Sequence, residues 1–455
     1  MQKQVKEFEE YKDARDKQFT AFLKANWIAV DLVQGEIRDE SPKPDVMPVA
    51  PQVVLQQPEV KPEDSVAKPI VVEPPEPDLV KKPAVAPVPA APGGRAISVD
   101  FYGKQVRFTY DAKLKRKLTG RINKDVISDY WSALSRTDYE ELLSQLDAQK
   151  TSLQLNDWAY ASLINELAKG INSRANETAL LSWFLLAKSG YKARIAYSDV
   201  EVYLLLPSKH QIFEVSYFTL GGARYYAVEF DGNDKSPGRV YTYDGEYPKA
   251  TNHLDMRVSS VVASSDLPAR RQLTFKFEDK VYSIDVAYDR GRLQFFSSYP
   301  QLDLELYFAS GVYRNTATPL QKQLAAYMKG MDEQQAVNFL LRFVQTSLKY
   351  ETDEKQFGRE NYLFPEETLF YPYSDCEDRA VLFAWLVESL LGLDVVGLDY
   401  PGHVAAAVRF NSHVAGDSVD YNGERYVVTD PTYVNAVSGM TMPDFRRFTP
   451  EVISY

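Results

Sequence analysis

The chain has 455 residues, with 63 Asp plus Glu against 52 Lys plus Arg, and a single cysteine, Cys376. A net charge of -11 without a basic patch argues against a nucleic-acid partner, and one thiol excludes an intrachain disulfide. At 45% hydrophobic and 13% aromatic the chain is rich enough for two or three packed cores, and no run of about 18 apolar residues predicts a membrane-spanning helix.

Residues 1–40 form the first segment. Val5, Phe8, Tyr11, Phe19, Phe22, Leu23, Trp27 and Val30 recur at helical spacing between charged residues, which predicts one amphipathic helix over 4–33. Packing onto the protein's own body and docking to a partner or surface both fit that face. The polar start Met1-Gln2-Lys3-Gln4 has no signal-peptide pattern and suits an exported protein whose leader has been removed.

Residues 41–95 change composition sharply, with 14 of the 26 prolines between Pro42 and Pro92. Proline lacks an amide donor and fixes φ, so this stretch reads as an extended spacer rather than helix or sheet. Spacers of this kind hold domains away from anchors, which favours a periplasmic or cell-envelope setting.

The remainder reads as two copies of one α+β pattern, 96–265 and 266–455. Alternating strands at 101–110 and 277–286 open the copies. A helix follows in each, near 158–171 and 336–348, and then a second, strongly apolar helix at 178–186 and 379–387. Gly190 and Gly392 stop these helices. Strand pairs close the copies, 202–206 with 224–228 and 404–410 with 425–429, the latter around an Asn422-Gly423 turn. An insertion at 351–374 lengthens the second copy; its Phe357, Tyr362, Phe364, Phe370 and Tyr371 are expected to wall a cleft.

Cys376 follows Pro372 and Ser374-Asp375, helix-start signals, so the thiol belongs in a first turn where free N–H groups favour anions. Lowering a thiol pKa from about 8.5 to about 5 needs roughly 5 kcal/mol, more than a helix end provides, so a cationic partner is required. His403 opens the strand 404–408, and Asp430 ends the neighbouring strand; antiparallel pairing brings the two together, with the carboxylate orienting the imidazole. Each residue also has a plain reading: a helix-packing thiol, a strand-edge histidine, and an Asp-Pro turn. Zinc binding by the three is a further reading, disfavoured by their scattered spacing. His210, His253 and His413 read as solvent-exposed loop residues.

The Asp375-Cys376-Glu377-Asp378-Arg379 helix start, the Gly402-His403-Val404 strand start and the strand-terminal Asp430-Pro431-Thr432-Tyr433, in that order, resemble the catalytic core of the transglutaminase-like superfamily. The resemblance spans residues 364–439. It implies a papain-like α+β fold, a helix bearing the cysteine packed on an antiparallel sheet, and thioester chemistry on an amide carbonyl through Cys376, His403 and Asp430. Family members transfer acyl groups to amines, hydrolyse peptides, deglycosylate asparagine, or have lost activity. Tyr371 and Tyr373 occupy the region where the family often places an oxyanion-hole side chain. Alignment of the copies sets Ala175 against Cys376, Glu201 against His403, and Glu229 or nearby Asp231 against Asp430, which makes the first copy a catalytically dead domain.

The expectation is a Cys-His-Asp thiol hydrolase acting on a protein or peptide substrate, with no metal or organic cofactor. A crosslinking transglutaminase and a non-catalytic cell-envelope binding or scaffold protein are the alternatives.

Overall fold

The computed structural model describes residues 2–37, 43–44, 46–51, 94–230, 238–258 and 268–455. Most of the proline-rich segment, Asp231, and the side chains of Val5, Phe8 and Tyr11 lie outside what is described. The architecture is mixed α+β, with twelve α-helices among the described residues and sheets that are almost entirely antiparallel. Two compact units divide the chain: residues 1–37, 81–267 and 297–302 form the first, and 38–80, 268–296 and 303–455 the second.

In the first unit, helix α1 (Gln2–Ala25) gives way at once to strand β1 (Trp27–Asp31). One helix over 4–33 is therefore corrected to a helix and a strand. The run Trp27-Ile28-Ala29-Val30 is aromatic and β-branched, and it pairs antiparallel with β8 (Arg239–Tyr243), Trp27 opposite Tyr243. Phe19 and Leu23 are buried, and the Phe19 ring meets Trp131 edge-on at 4.7 Å and Tyr247 at 5.3 Å. The helix thus packs onto its own unit.

The hairpin β2 (Gly94–Phe101) and β3 (Lys104–Asp111) leads into α2 (Lys124–Leu134), α3 (Glu140–Ser152), α4 (Asp157–Ile171) and α5 (Ala175–Lys188). Strands β4 (Arg194–Tyr197), β5 (Val202–Pro207), β6 (Tyr217–Leu220) and β7 (Ala223–Ala227) complete a sheet ordered β1-β8-β4-β5-β7-β6. Trp183 of α5 is buried under it and donates from Nε1 to Tyr243 at 2.9 Å.

The second unit opens on the hairpin β9 (Pro268–Phe277) and β10 (Lys280–Asp289), followed by α6 (Arg290–Ser297), α7 (Leu304–Phe308), α8 (Arg314–Tyr327) and α9 (Glu333–Ser347). A short β11 (Lys349–Tyr350), α10 (Asp353–Phe357), α11 (Pro365–Phe370) and β12 (Tyr373–Ser374) precede α12 (Cys376–Leu391). Strands β13 (Val395–Tyr400), β14 (His403–Val408), β15 (Ser418–Tyr421), β16 (Glu424–Thr429) and β17 (Glu451–Ile453) form a sheet ordered β15-β16-β14-β13-β17. Gly392 caps α12 in the left-handed region, and Asn422 and Gly423 both carry positive φ in the two-residue β15–β16 turn.

Strand order β8-β4-β5-β7-β6 of the first unit matches β17-β13-β14-β16-β15 of the second, each preceded by a hairpin and two apolar helices. Several side chains of the insertion before Cys376 pack into the second unit. Glu366 is buried and ion-paired with buried Arg292 at 2.7 Å, and buried Tyr362 and Phe364 pack on Tyr307. Phe357, Phe370 and Tyr371 are half-buried and pack on one another.

Candidate functional site

Cys376 is the first residue of α12. Asp375 precedes it as N-cap, its own N–H donating to the Asp378 carboxyl at 3.3 Å, which holds the helix start. The thiol is fully buried and donates to Glu377 Oε2 at 2.9 Å. Burial first, then the carboxylates of Glu377 and Asp375, push this thiol well above its ordinary value. The protonated form is the resting form.

His403 owes its place to the two-residue turn Pro401-Gly402, in which Gly402 has φ +75 and Tyr400 pairs with His403. An L side chain at position 402 would be strained. Strands β14 and β16 are paired antiparallel, Ala406 opposite Thr429, so the start of one lies beside the end of the other. The His403 Nε2–H donates to Asp430 Oδ2 at 2.8 Å, and both residues are buried. Asp430 Oδ1 accepts from the N–H groups of Thr432 and Tyr433 at 2.9 and 3.1 Å, which locks the carboxylate. The other imidazole nitrogen, Nδ1, is buried without a hydrogen-bond partner, and the ring stacks on Phe445 at 4.8 Å.

Two of the three expected residues are therefore joined by a hydrogen bond, and the third bonds Glu377. No hydrogen bond links Cys376 to His403; the sulfur is tied to Glu377. Tyr371 is half-buried, its hydroxyl pushed up to about 12 by burial and then by Glu367, and its carbonyl accepts from Arg271 at 2.6 Å. Tyr373 lies on β12 with Lys349 5.9 Å from its ring centroid. Neither tyrosine is hydrogen-bonded to the sulfur, whose partner is Glu377. His413 is exposed as expected, whereas His210 and His253 are half-buried, and His210 Nδ1 accepts from the Met256 N–H at 3.2 Å.

Several residues around the thiol had no signal of their own in the sequence. The Lys43 ammonium is bound by Glu360 and Glu377 and lies 3.0 Å from Asp375. Burial disfavours that charge, but the surrounding acidic groups, Glu377 foremost and then Asp375, together make the net direction upward. At Glu377 burial is opposed by Lys43 and by hydrogen bonds from Glu360, the thiol and Lys43, which together lower it to about 2. The neighbouring carboxyls go the other way, chiefly through burial: Asp378 is raised to about 7, and Asp353 to about 10. The one clue in sequence was the run Asp375-Cys376-Glu377-Asp378, three carboxyls that cannot all be buried as anions without a cation.

Among the described residues, Asp353, Glu360 and Asp375 present oxygens within 4.8 Å of one another, a spacing a hard cation could use. Lys43 already bonds two of them. Behind the pocket, buried Arg379 donates to the carbonyls of Gln345 and Leu348 at 3.2 and 2.9 Å. The Gln345 amide donates to the carbonyls of Asp430, Tyr433 and Ala436 at 3.1, 2.8 and 3.2 Å. This chain of bonds ties the α12 start to the loop after β16.

In the first unit Ala175 is likewise the first residue of its helix. Glu201 stands two and four residues before Tyr203 and Leu205 of one apolar sheet face, as His403 stands before Ala405 and Ala407 of another. Ala175, Glu201 and Glu229 line one cleft of about 220 Å³, together with Lys169, Arg174 and Phe230. Searches against family models, curated proteins and solved structures found no match for this chain.

Proposed function

We propose that the second unit is a thiol enzyme acting on an amide or peptide bond, with Cys376 as nucleophile, His403 as base and Asp430 as the group that orients His403. The observation that carries this reading is the buried His403–Asp430 pair, whose Nε2–H is committed to the carboxylate while Nδ1 is left without a partner. A locked imidazole with one basic nitrogen free is what proton removal from a thiol requires. In the reaction, Sγ leaves Glu377 and gives its proton to Nδ1. The sulfur–carbon bond forms, the carbon–nitrogen bond breaks, and the imidazolium protonates the departing amine. Water then cleaves the thioester, with His403 again as base.

The shared strand order and the matching helix starts support reading the first unit as the inactive counterpart, since Ala175 offers no nucleophile. The proline-rich composition of residues 41–95 supports a cell-envelope setting. A second reading, a binding protein without catalysis, is favoured by the thiol's upward shift and its bond to Glu377.

A p-nitrophenyl acyl ester separates the two. The enzyme reading expects a burst of nitrophenol stoichiometric with protein, an acyl adduct on Cys376 by mass spectrometry, and a loss of about 10²–10⁴-fold in rate in His403→Ala. Equal, slow labelling of the native protein and His403→Ala would establish the binding reading instead.

A further inference from the structure

Residues 43–50 belong to the second unit and lie across the start of α12. The segment is described except at position 45. Lys43 enters the pocket of Glu360, Asp375 and Glu377, and its ammonium and the Cys376 thiol bind the two oxygens of the same Glu377 carboxylate. The Pro44 carbonyl accepts from the Tyr350 hydroxyl at 2.8 Å, and the Met47 sulfur accepts from Arg379 at 2.9 Å. Val49 then forms a parallel bridge with Val434, in which the Ala50 N–H donates to the Val434 carbonyl at 2.7 Å and the Val434 N–H to the Pro48 carbonyl at 3.0 Å. Ala50 is buried with Tyr433, Ala436 and Met442.

These contacts have the form of peptide recognition: backbone pairing through a single parallel bridge at one end, and a charged pocket for one side chain at the other. Asp375 Oδ1 remains buried without a partner, so the pocket has acceptor capacity beyond the ammonium it holds. The lysine ammonium and the Cys376 thiol are thus neighbours on one carboxylate.

We propose that the groove from the Glu360–Asp375–Glu377 pocket to Val434 binds extended peptides carrying a lysine, and that residues 43–50 fill it in cis. As a statement about substrate, this rests on the thiol-enzyme reading; as a statement about binding, it stands apart from it. The arm is then a pseudosubstrate, and trans peptides compete with it.

The test uses the full chain carrying Cys376→Ala, so that binding is read without catalysis, with and without Lys43→Ala. The probe is a fluorescein-labelled peptide of the sequence 43–50, followed by anisotropy, beside the same peptide with norleucine for lysine. Expected are saturable binding to the Lys43→Ala chain, at least tenfold weaker binding when Lys43 is present, and at least tenfold weaker binding of the norleucine peptide. Should Lys43→Ala fail to fold by circular dichroism, Ala50→Pro releases the other end of the arm by removing its N–H, and excess peptide on the Cys376→Ala chain should speed hydrogen exchange of the Ala50 amide. Indifference to the lysine, or no binding and no change in exchange, would overturn the proposal. Neither result touches the ester burst, which judges catalysis separately.

Discussion

At the scale of single residues, the site is governed by carboxyls that do not share one protonation state. Asp378 accepts from the Leu363 and Asp375 N–H groups and is raised to about 7, from an unfolded value of about 3.9. A raised carboxyl contributes stability that is complete below about pH 4 and lost as pH rises through 7, and Asp353 extends the loss through about 10. Glu377, lowered to about 2, acts oppositely: its contribution is present above its ordinary range and lost as pH falls toward 2. Thermal melts of the second unit should therefore peak near pH 4–5 and decline through pH 7, and Asp378→Asn should flatten that decline. A melting temperature that climbs from pH 5 to 7 would contradict this assignment. The thiol gives a second prediction. Glu377 is the foremost charged group holding the Cys376 proton on, so Glu377→Gln, which keeps an acceptor, should move the midpoint of iodoacetamide alkylation to lower pH. An unmoved midpoint would mean that burial alone sets the thiol.

Helices and strands carry the next level. Phe19 docks α1 on the first unit through Trp131, Tyr243 and Tyr247. Truncating so large a buried ring leaves a cavity, and Phe19→Ala should cost about 3–5 kcal/mol in denaturant melts. Had α1 been a free docking helix, the cost would be near zero. The legibility of the elements followed the range of their partners. The α12 start, the Gly392 stop and the Asn422-Gly423 turn rest on local chemistry and stood plainly in the sequence. His403 and Asp430 were also legible, because neighbouring strands bring them together 27 positions apart. Strand β1 was hidden: Trp27 and Val30 satisfy a helical period as well as a strand, and the deciding partner is β8, more than 200 residues on. Lys43 was hidden for the same reason. Its three carboxylates lie 317 to 334 residues away, and the prolines around it argue against ordered pairing.

Over the whole molecule, the two units repeat one strand order while drawing on interleaved stretches of chain. Phe19 and Lys43 belong to different units, so the stability losses of Phe19→Ala and Lys43→Ala should add within about 0.5 kcal/mol in the double variant. A larger coupling would show that damage in one unit is felt in the other. The interleaving also has a consequence in time. Lys43 is made 334 residues before Glu377, and Ala50 still longer before Val434. At roughly 5–20 residues per second of synthesis, an interval on the order of 17–70 seconds separates the lysine from its pocket. The nascent chain must keep that segment uncommitted until its last hundred residues emerge, so the arm closes as one of the final acts of folding.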